Sequence, residues 1–168
     1  MKKKIYVLDS SAFIGGFCSV KKPNFTIPEV INEVKDVKSK LILQSAVEKG
    51  ILHLKEPDNS SILKLESIIK KSGDIIRLSD VDKSIIALAL TLKKENYEPN
   101  VVTDDYSMQN ALKILEIPYR SVLTEGIKDI YNWIKICKGC KKRYESDYKF
   151  DECEICGSPI IKKIKKIN

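Results

Sequence analysis

The chain has 168 residues, a formal net charge of +7 and a pI near 9.0. That length holds one full domain and a small appendage, and 43% hydrophobic with 32% charged residues is the balance of a globular protein. No apolar run approaches the roughly 18 residues that span a bilayer, the basic start Met1-Lys2-Lys3-Lys4 is followed by no leader-like core or cleavage site, and the positive balance favours an anionic partner, nucleic acid first. A cytoplasmic location is expected, and in a reducing compartment clustered cysteines argue for metal.

Ile5-Tyr6-Val7-Leu8 is a short continuous apolar run, the pattern of a strand buried on both faces in a parallel sheet. It ends on Asp9, and Ser10-Ser11 then opens a short helix with a hydroxyl cap. Thr26 is expected to cap a helix with Pro28 in its first turn, carrying Glu33. A second helix spans Ser39–Glu48 and stops at Gly50, and Ile51–Leu54 reads as a strand. Asp58-Asn59-Ser60 opens a helix to Lys71, with Gly73 beyond its end. Ser79-Asp80-Val81-Asp82 starts the strongest helix, apolar nearly all round and therefore buried, which stops before Pro99. Val101-Val102-Thr103 is the next buried strand, ending on Asp104-Asp105; a helix over Ser107–Leu115 and a strand over Pro118–Val122 follow. The alternation predicts an α/β fold, an α/β/α sandwich with a mostly parallel sheet, over residues 1–123. Residues 124–134 are expected to link it to a cysteine module at 135–160, with a basic tail at 161–168.

Two strand ends carry acids, Asp9 and the pair Asp104/Asp105, while Asp82 stands in the first turn of the buried helix and Glu33 in the helix after Pro28. Strand ends of this kind form the ligand edge of an open α/β sheet. Each acid alone could be a turn, a helix-dipole charge or a surface group. Together, crowded carboxylates raise one another's pKa values, and a divalent cation removes that repulsion. Oxygen-only ligands suit Mg²⁺ or Mn²⁺, ions that serve in-line phosphoryl displacement. Other chemistries lack their residues. His53 is the single histidine, Gly15-Gly16 is not followed by a Walker lysine, and Cys18 has no neighbouring base.

The segments YVLDSSAFI, PEVINEV, LSDVDKSIIALAL and VVTDDYSMQN, in this order, resemble the successive acidic motifs of PIN-domain nucleases. The resemblance covers roughly Lys2 to Leu123. It implies a Mg²⁺- or Mn²⁺-dependent ribonuclease cutting single-stranded RNA, with Asp9, Glu33, Asp82 and Asp105 as metal ligands and Asp104 as a supporting carboxylate.

Cys137-x-x-Cys140 and Cys153-x-x-Cys156 have the spacing of two zinc knuckles. So short a segment builds no core of its own, so the zinc would be structural and would supply folding energy. Lys141, Lys142, Arg143, Tyr144, Tyr148 and Lys149 interleave charge with aromatic rings, a pattern that holds phosphates and stacks bases; packing within the ribbon is the other use of Tyr144. A PIN domain followed directly by such a ribbon resembles the Nob family of ribosome-maturation endoribonucleases. That resemblance implies cleavage of precursor small-subunit (16S) rRNA to its mature 3′ end, on the pre-small ribosomal subunit and alongside assembly factors. A PIN-type toxin and a noncatalytic RNA-binding scaffold are the rival readings.

Overall fold

Ile5, Val7 and Leu8 are at most 1% exposed, as a strand covered on both faces requires. They lie in β1 (Lys3–Leu8), the middle strand of a five-stranded sheet with order β3-β2-β1-β4-β5. The computed structural model describes residues 2–72, 78–123, 130–145 and 148–167. The other strands are β2 (Asn24–Thr26), β3 (Leu52–Leu54), β4 (Tyr97–Val102) and β5 (Tyr119–Arg120), and every pairing is parallel. The chain builds outward from β1 to β3, then crosses back to lay β4 on the other side of β1. The direction of winding therefore reverses between β1 and β4, and there the carboxyl ends of the strands leave a crevice. Leu8 pairs with Val102, so Asp9 and Thr103 leave the sheet level with each other.

Helices cover both faces, as parallel crossovers demand. The first layer holds α1 (Ser10–Ile14), α2 (Pro28–Glu33) and α3 (Val37–Glu48). The second holds α4 (Asn59–Ser72), α5 (Asp80–Lys94) and α6 (Tyr106–Ile114), with α5 packed on β1 and β4. Residues Ile85 to Leu92 of α5 are all buried, as its uniformly apolar sequence predicts. Its start is fixed by a capping box: Asp82 N donates to Ser79 Oγ at 3.1 Å and Ser79 N to Asp82 Oδ2 at 2.8 Å.

Three expectations need correction. Thr26 does not cap α2. It ends β2, its hydroxyl donates to Leu8 O at 2.7 Å, and α2 starts after Ile27 with no side-chain cap. Strand β4 begins at Tyr97 and contains Pro99, because β5 meets β4 only at Val101 and Val102 and leaves no partner facing the proline on that side. Residues 130–134 and 161–167, read as linker and tail, are strand: β6 (Ile130–Cys137) pairs antiparallel with β8 (Ile160–Ile167) along its whole length, and β7 (Arg143–Tyr144) lies on its other edge. Eight paired residues satisfy a backbone that a tail would leave to water. Residues 124–129 and Gly73 lie outside the described residues.

Candidate active site and metal centre

Asp9 is 5% exposed, and its carboxylate is held from three directions. Oδ1 accepts from Ser10 N at 2.7 Å, so Asp9 itself, rather than a serine, caps α1. Oδ2 accepts from Ser11 Oγ at 3.0 Å and from Thr103 Oγ1 at 2.9 Å. Each hydroxyl also accepts a backbone N–H from the turn after β4: Asp104 N donates to Ser11 Oγ at 3.1 Å, and Asp105 N to Thr103 Oγ1 at 3.1 Å. Two parallel bridges thus tie the end of β1 to the end of β4. Neither hydroxyl stands out in the sequence, since Ser and Thr after a strand are ordinary turn residues.

Asp105 caps α6, accepting from Met108 N at 2.8 Å, and is exposed. Asp82 is half-buried at the first turn of α5, and burial raises its pKa above the ordinary carboxylate value. The Ser79 hydrogen bonds oppose that shift, and the negative charges of Asp105 and Asp9 add to it. Glu33, exposed at the end of α2, is likewise raised, by desolvation first and then by Asp9 and Asp82 against the Ser10 hydroxyl. Asp82 thus feels the charges of Asp105 and Asp9, and Glu33 those of Asp9 and Asp82, across β1, α2, α5 and the β4–α6 turn. Among the described residues they form no group with oxygens as tightly drawn together as the cysteine sulfurs below. An all-oxygen, mutually repelling set of carboxylates fits a hard divalent cation.

Asp104 is turned the other way. Its Oδ1 accepts from Val122 N at 3.0 Å and Leu123 N at 3.1 Å, and its Oδ2 from Leu123 N at 3.1 Å. Its carboxylate clamps the chain leaving β5, while its backbone N–H holds the Ser11 hydroxyl that bonds Asp9.

At the cysteine module the sulfurs of Cys137, Cys140, Cys153 and Cys156 all lie within 4.8 Å of one another. Cys137 and Cys156 are 3.4 Å apart, Cys140 and Cys153 3.5 Å. Tetrahedral zinc at its usual bond length holds sulfurs about 3.8 Å apart, so this set fits a structural ion. Ser158, through its hydroxyl and backbone N–H, holds the Cys156 thiol down to about 6. A Cβ at Gly139 would collide with Ser158, and Gly157 turns at φ +66°, so both knuckles need their glycines.

The expected RNA contacts divide. Tyr144 is buried, 9% exposed, with its hydroxyl 3.0 Å from Cys153 Sγ and its ring 4.2 Å from that of Tyr148. Its ring packs in the ribbon's small core, one of the two uses the sequence left open for it. Lys142 pairs with Glu154 over the Tyr144 ring. The Lys141 ammonium donates to Lys138 O at 2.8 Å, while Arg143 and Lys149 are exposed. Cys18 is half-buried with its thiol raised by burial, and His53 packs beside Phe25 at 5.1 Å. Among the described residues no helix is long and apolar enough to cross a membrane.

The chain is similar to known proteins. A family model described as the PIN domain of ribonuclease matches residues 6–92. A protein of Methanothermobacter thermautotrophicus named endoribonuclease Nob1 is 48% identical over 163 residues, 97% of this chain and 93% of that protein. The endoribonuclease Nob1 of Methanocaldococcus jannaschii is 41% identical over 165 residues, 97% of this chain and 79% of its own. A protein of Thermoplasma acidophilum named ribonuclease VapC1 is 33% identical over 163 residues, 96% and 79% of the two chains. The matches to the Nob1 proteins cover nearly the whole chain, and the chain belongs to the Nob1 endoribonucleases, with a PIN domain as its nuclease fold.

Proposed function

We propose that this endoribonuclease cuts precursor small-subunit (16S) rRNA at the mature 3′ end, in the cytoplasm, while bound to the pre-small ribosomal subunit and its assembly factors. The observation that carries the catalytic part is the meeting of Asp9, Asp82, Asp105 and Glu33 at the edge where β1 and β4 diverge. The similarity to the Nob1 proteins over nearly the whole chain supports the enzyme class.

In this reading Asp9, Glu33, Asp82 and Asp105 hold Mg²⁺ or Mn²⁺. The cation supplies the positive charge that lets a phosphodiester approach four carboxylates and eases in-line attack by water. Asp9 is the fixed member, buried and aligned by Ser10, Ser11 and Thr103. Burial and the neighbouring acids disfavour the charged forms of Asp82 and Glu33, and a bound cation would offset that repulsion. Asp104 keeps the chain after β5 in place and stands outside the ligand set. Residues 1–123 form the nuclease unit. The ribbon, extended by the strands at 130–134 and 161–167, holds zinc at its four cysteines and offers Lys141, Arg143, Tyr148 and Lys149 to RNA.

The test is cleavage of an end-labelled RNA spanning the 16S 3′ boundary, free and assembled in pre-small subunits, with Mn²⁺ and with the cut mapped to the nucleotide. A single cut at the mature end on the assembled substrate supports the reading. Cuts scattered equally over both substrates contradict the assigned target and leave the nuclease standing. No metal-dependent cut on either contradicts the catalytic reading and favours the RNA-binding scaffold.

A further inference from the structure

Beside the acidic edge, α1 leads from Asp9 to Phe17, whose ring meets Tyr6 of β1 edge-on, centroids 5.1 Å apart and planes at 82°. Each ring carries a cation. Lys22 Nζ lies 5.3 Å from the Tyr6 centroid, and Arg120 Cζ lies 4.6 Å from that of Phe17. The order is cation, ring, ring, cation. Arg120 ends β5 opposite Val102, and Thr103 N donates to its carbonyl at 3.1 Å. The row therefore begins level with the turn that carries Asp105 and runs down the sheet on the Tyr6 side.

The row is built rather than incidental. The loop bearing Lys22 is pinned by Asn24, fully buried, whose Oδ1 accepts from Ser19 N at 3.0 Å and whose Nδ2 donates to Ser19 O at 2.7 Å and Lys22 O at 3.2 Å. Arg120 is one of three arginines among thirty basic residues, with Arg77 and Arg143. Stacking occupies the face of a guanidinium and leaves its in-plane N–H fork free for a phosphate, which an ammonium cannot imitate. Among the described residues no carboxylate pairs with Arg120 or Lys22. Next to the row lies a cavity of about 140 Å³ lined by Lys4, Tyr6, Lys22, Glu98 and Asn100, with Glu98 paired to Lys4 at 3.8 Å.

We propose that Arg120, Phe17, Tyr6 and Lys22 form a track for the backbone of single-stranded RNA flanking the scissile bond. The proposal rests on the ribonuclease reading above and adds a substrate subsite to it.

The test is fluorescence anisotropy with a labelled oligouridine in buffer without added divalent ions, across a salt series. Arg120→Ala should weaken binding about tenfold and lower the slope of log affinity against log salt by about one. Lys22→Ala should lower the slope similarly. Phe17→Leu keeps the charge and removes its platform, so affinity should fall with the slope unchanged. Arg120→Lys should restore the slope and only part of the affinity. Lys38→Ala, on the exposed side of α3, should match wild type. Wild-type affinity and slope in Arg120→Ala, or an equal loss in Lys38→Ala, would overturn the track. Mn²⁺ titration of the same variants should match wild type. A wild type that neither binds Mn²⁺ nor cuts, yet binds RNA through Arg120, would sink the nuclease reading and keep the track.

Discussion

Asp82 and Glu33 both hold their protons more tightly than free carboxylates, burial being the first cause and neighbouring acids adding to it. Protons compete with a cation for these carboxylates, so Mn²⁺ affinity should fall as pH is lowered toward their raised values. Calorimetry in buffers of different ionisation enthalpy should detect growing proton release on binding as pH approaches those values; affinity that does not fall with pH would contradict it. The sign for stability is the reverse in the metal-free protein. A raised pKa in the fold means the folded state binds more protons, so stability is gained as pH falls and lost as it rises through the raised values. Asp82→Asn removes the repelling charge and keeps an oxygen for Ser79 N. It should raise the metal-free melting midpoint by about 1–3 °C and abolish the further rise that Mn²⁺ gives wild type. A lower metal-free midpoint with the Mn²⁺ response intact would show that Asp82 serves only its helix. At this scale the sequence identifies the acids but not their directions. Asp104 and Asp105 are adjacent and alike; only the backbone N–H groups of Val122 and Leu123, distant contacts of the fold, separate clamp from ligand candidate.

The elements that carry the acids were readable because their burial is written in composition. β1 ends in an apolar run that leads into Asp9, β4 ends on Val101-Val102 just before Thr103-Asp104-Asp105, and α5 is apolar nearly all round behind a capping box. Ser79→Ala removes one half of that box and should cost about 1 kcal/mol, a fall of about 2–4 °C in the melting midpoint, with Mn²⁺ binding retained through the Asp82 to Ser79 backbone bond. An unchanged midpoint would mean that tertiary packing alone sets the start of α5. Elements held by polar contacts were not readable. β2 has three residues, and its two fully buried ones, Asn24 and Thr26, are polar and satisfied by Ser19, Lys22, Ile51 and Leu8. No hydrophobic period marks such a strand. β8 is half lysine and reads as a solvated tail until its pairing with β6 is seen.

For the whole molecule, the two sheets answer to different forces. The five-stranded sheet has a continuous apolar core, while among the ribbon's described residues the buried ones are Cys137, Tyr144 and Cys153, with Tyr148 and Ile160 against them. Zinc bound to such a site contributes about 10–16 kcal/mol of apparent binding free energy, which the ribbon's own packing cannot replace. Stripping zinc, or substituting Cys156→Ser, should collapse the ribbon's amide resonances while those of the larger sheet persist. Loss of both together would show one cooperative unit, and loss of neither would show that the sulfurs hold no structural ion.

The most direct measurement of the central claim is Mn²⁺-dependent cleavage of single-stranded RNA by wild type and by Asp9→Asn, with RNA affinity measured alongside. Asp9 is fixed by three hydrogen-bonding residues at the edge shared by β1 and β4, and the substitution removes its charge with little change of shape. Cleavage should fall at least about a thousandfold, the loss expected when a central electrostatic group is removed, with RNA affinity within about twofold of wild type. Cleavage retained by a folded, nuclease-free preparation of Asp9→Asn would contradict the assignment of this edge as the active site.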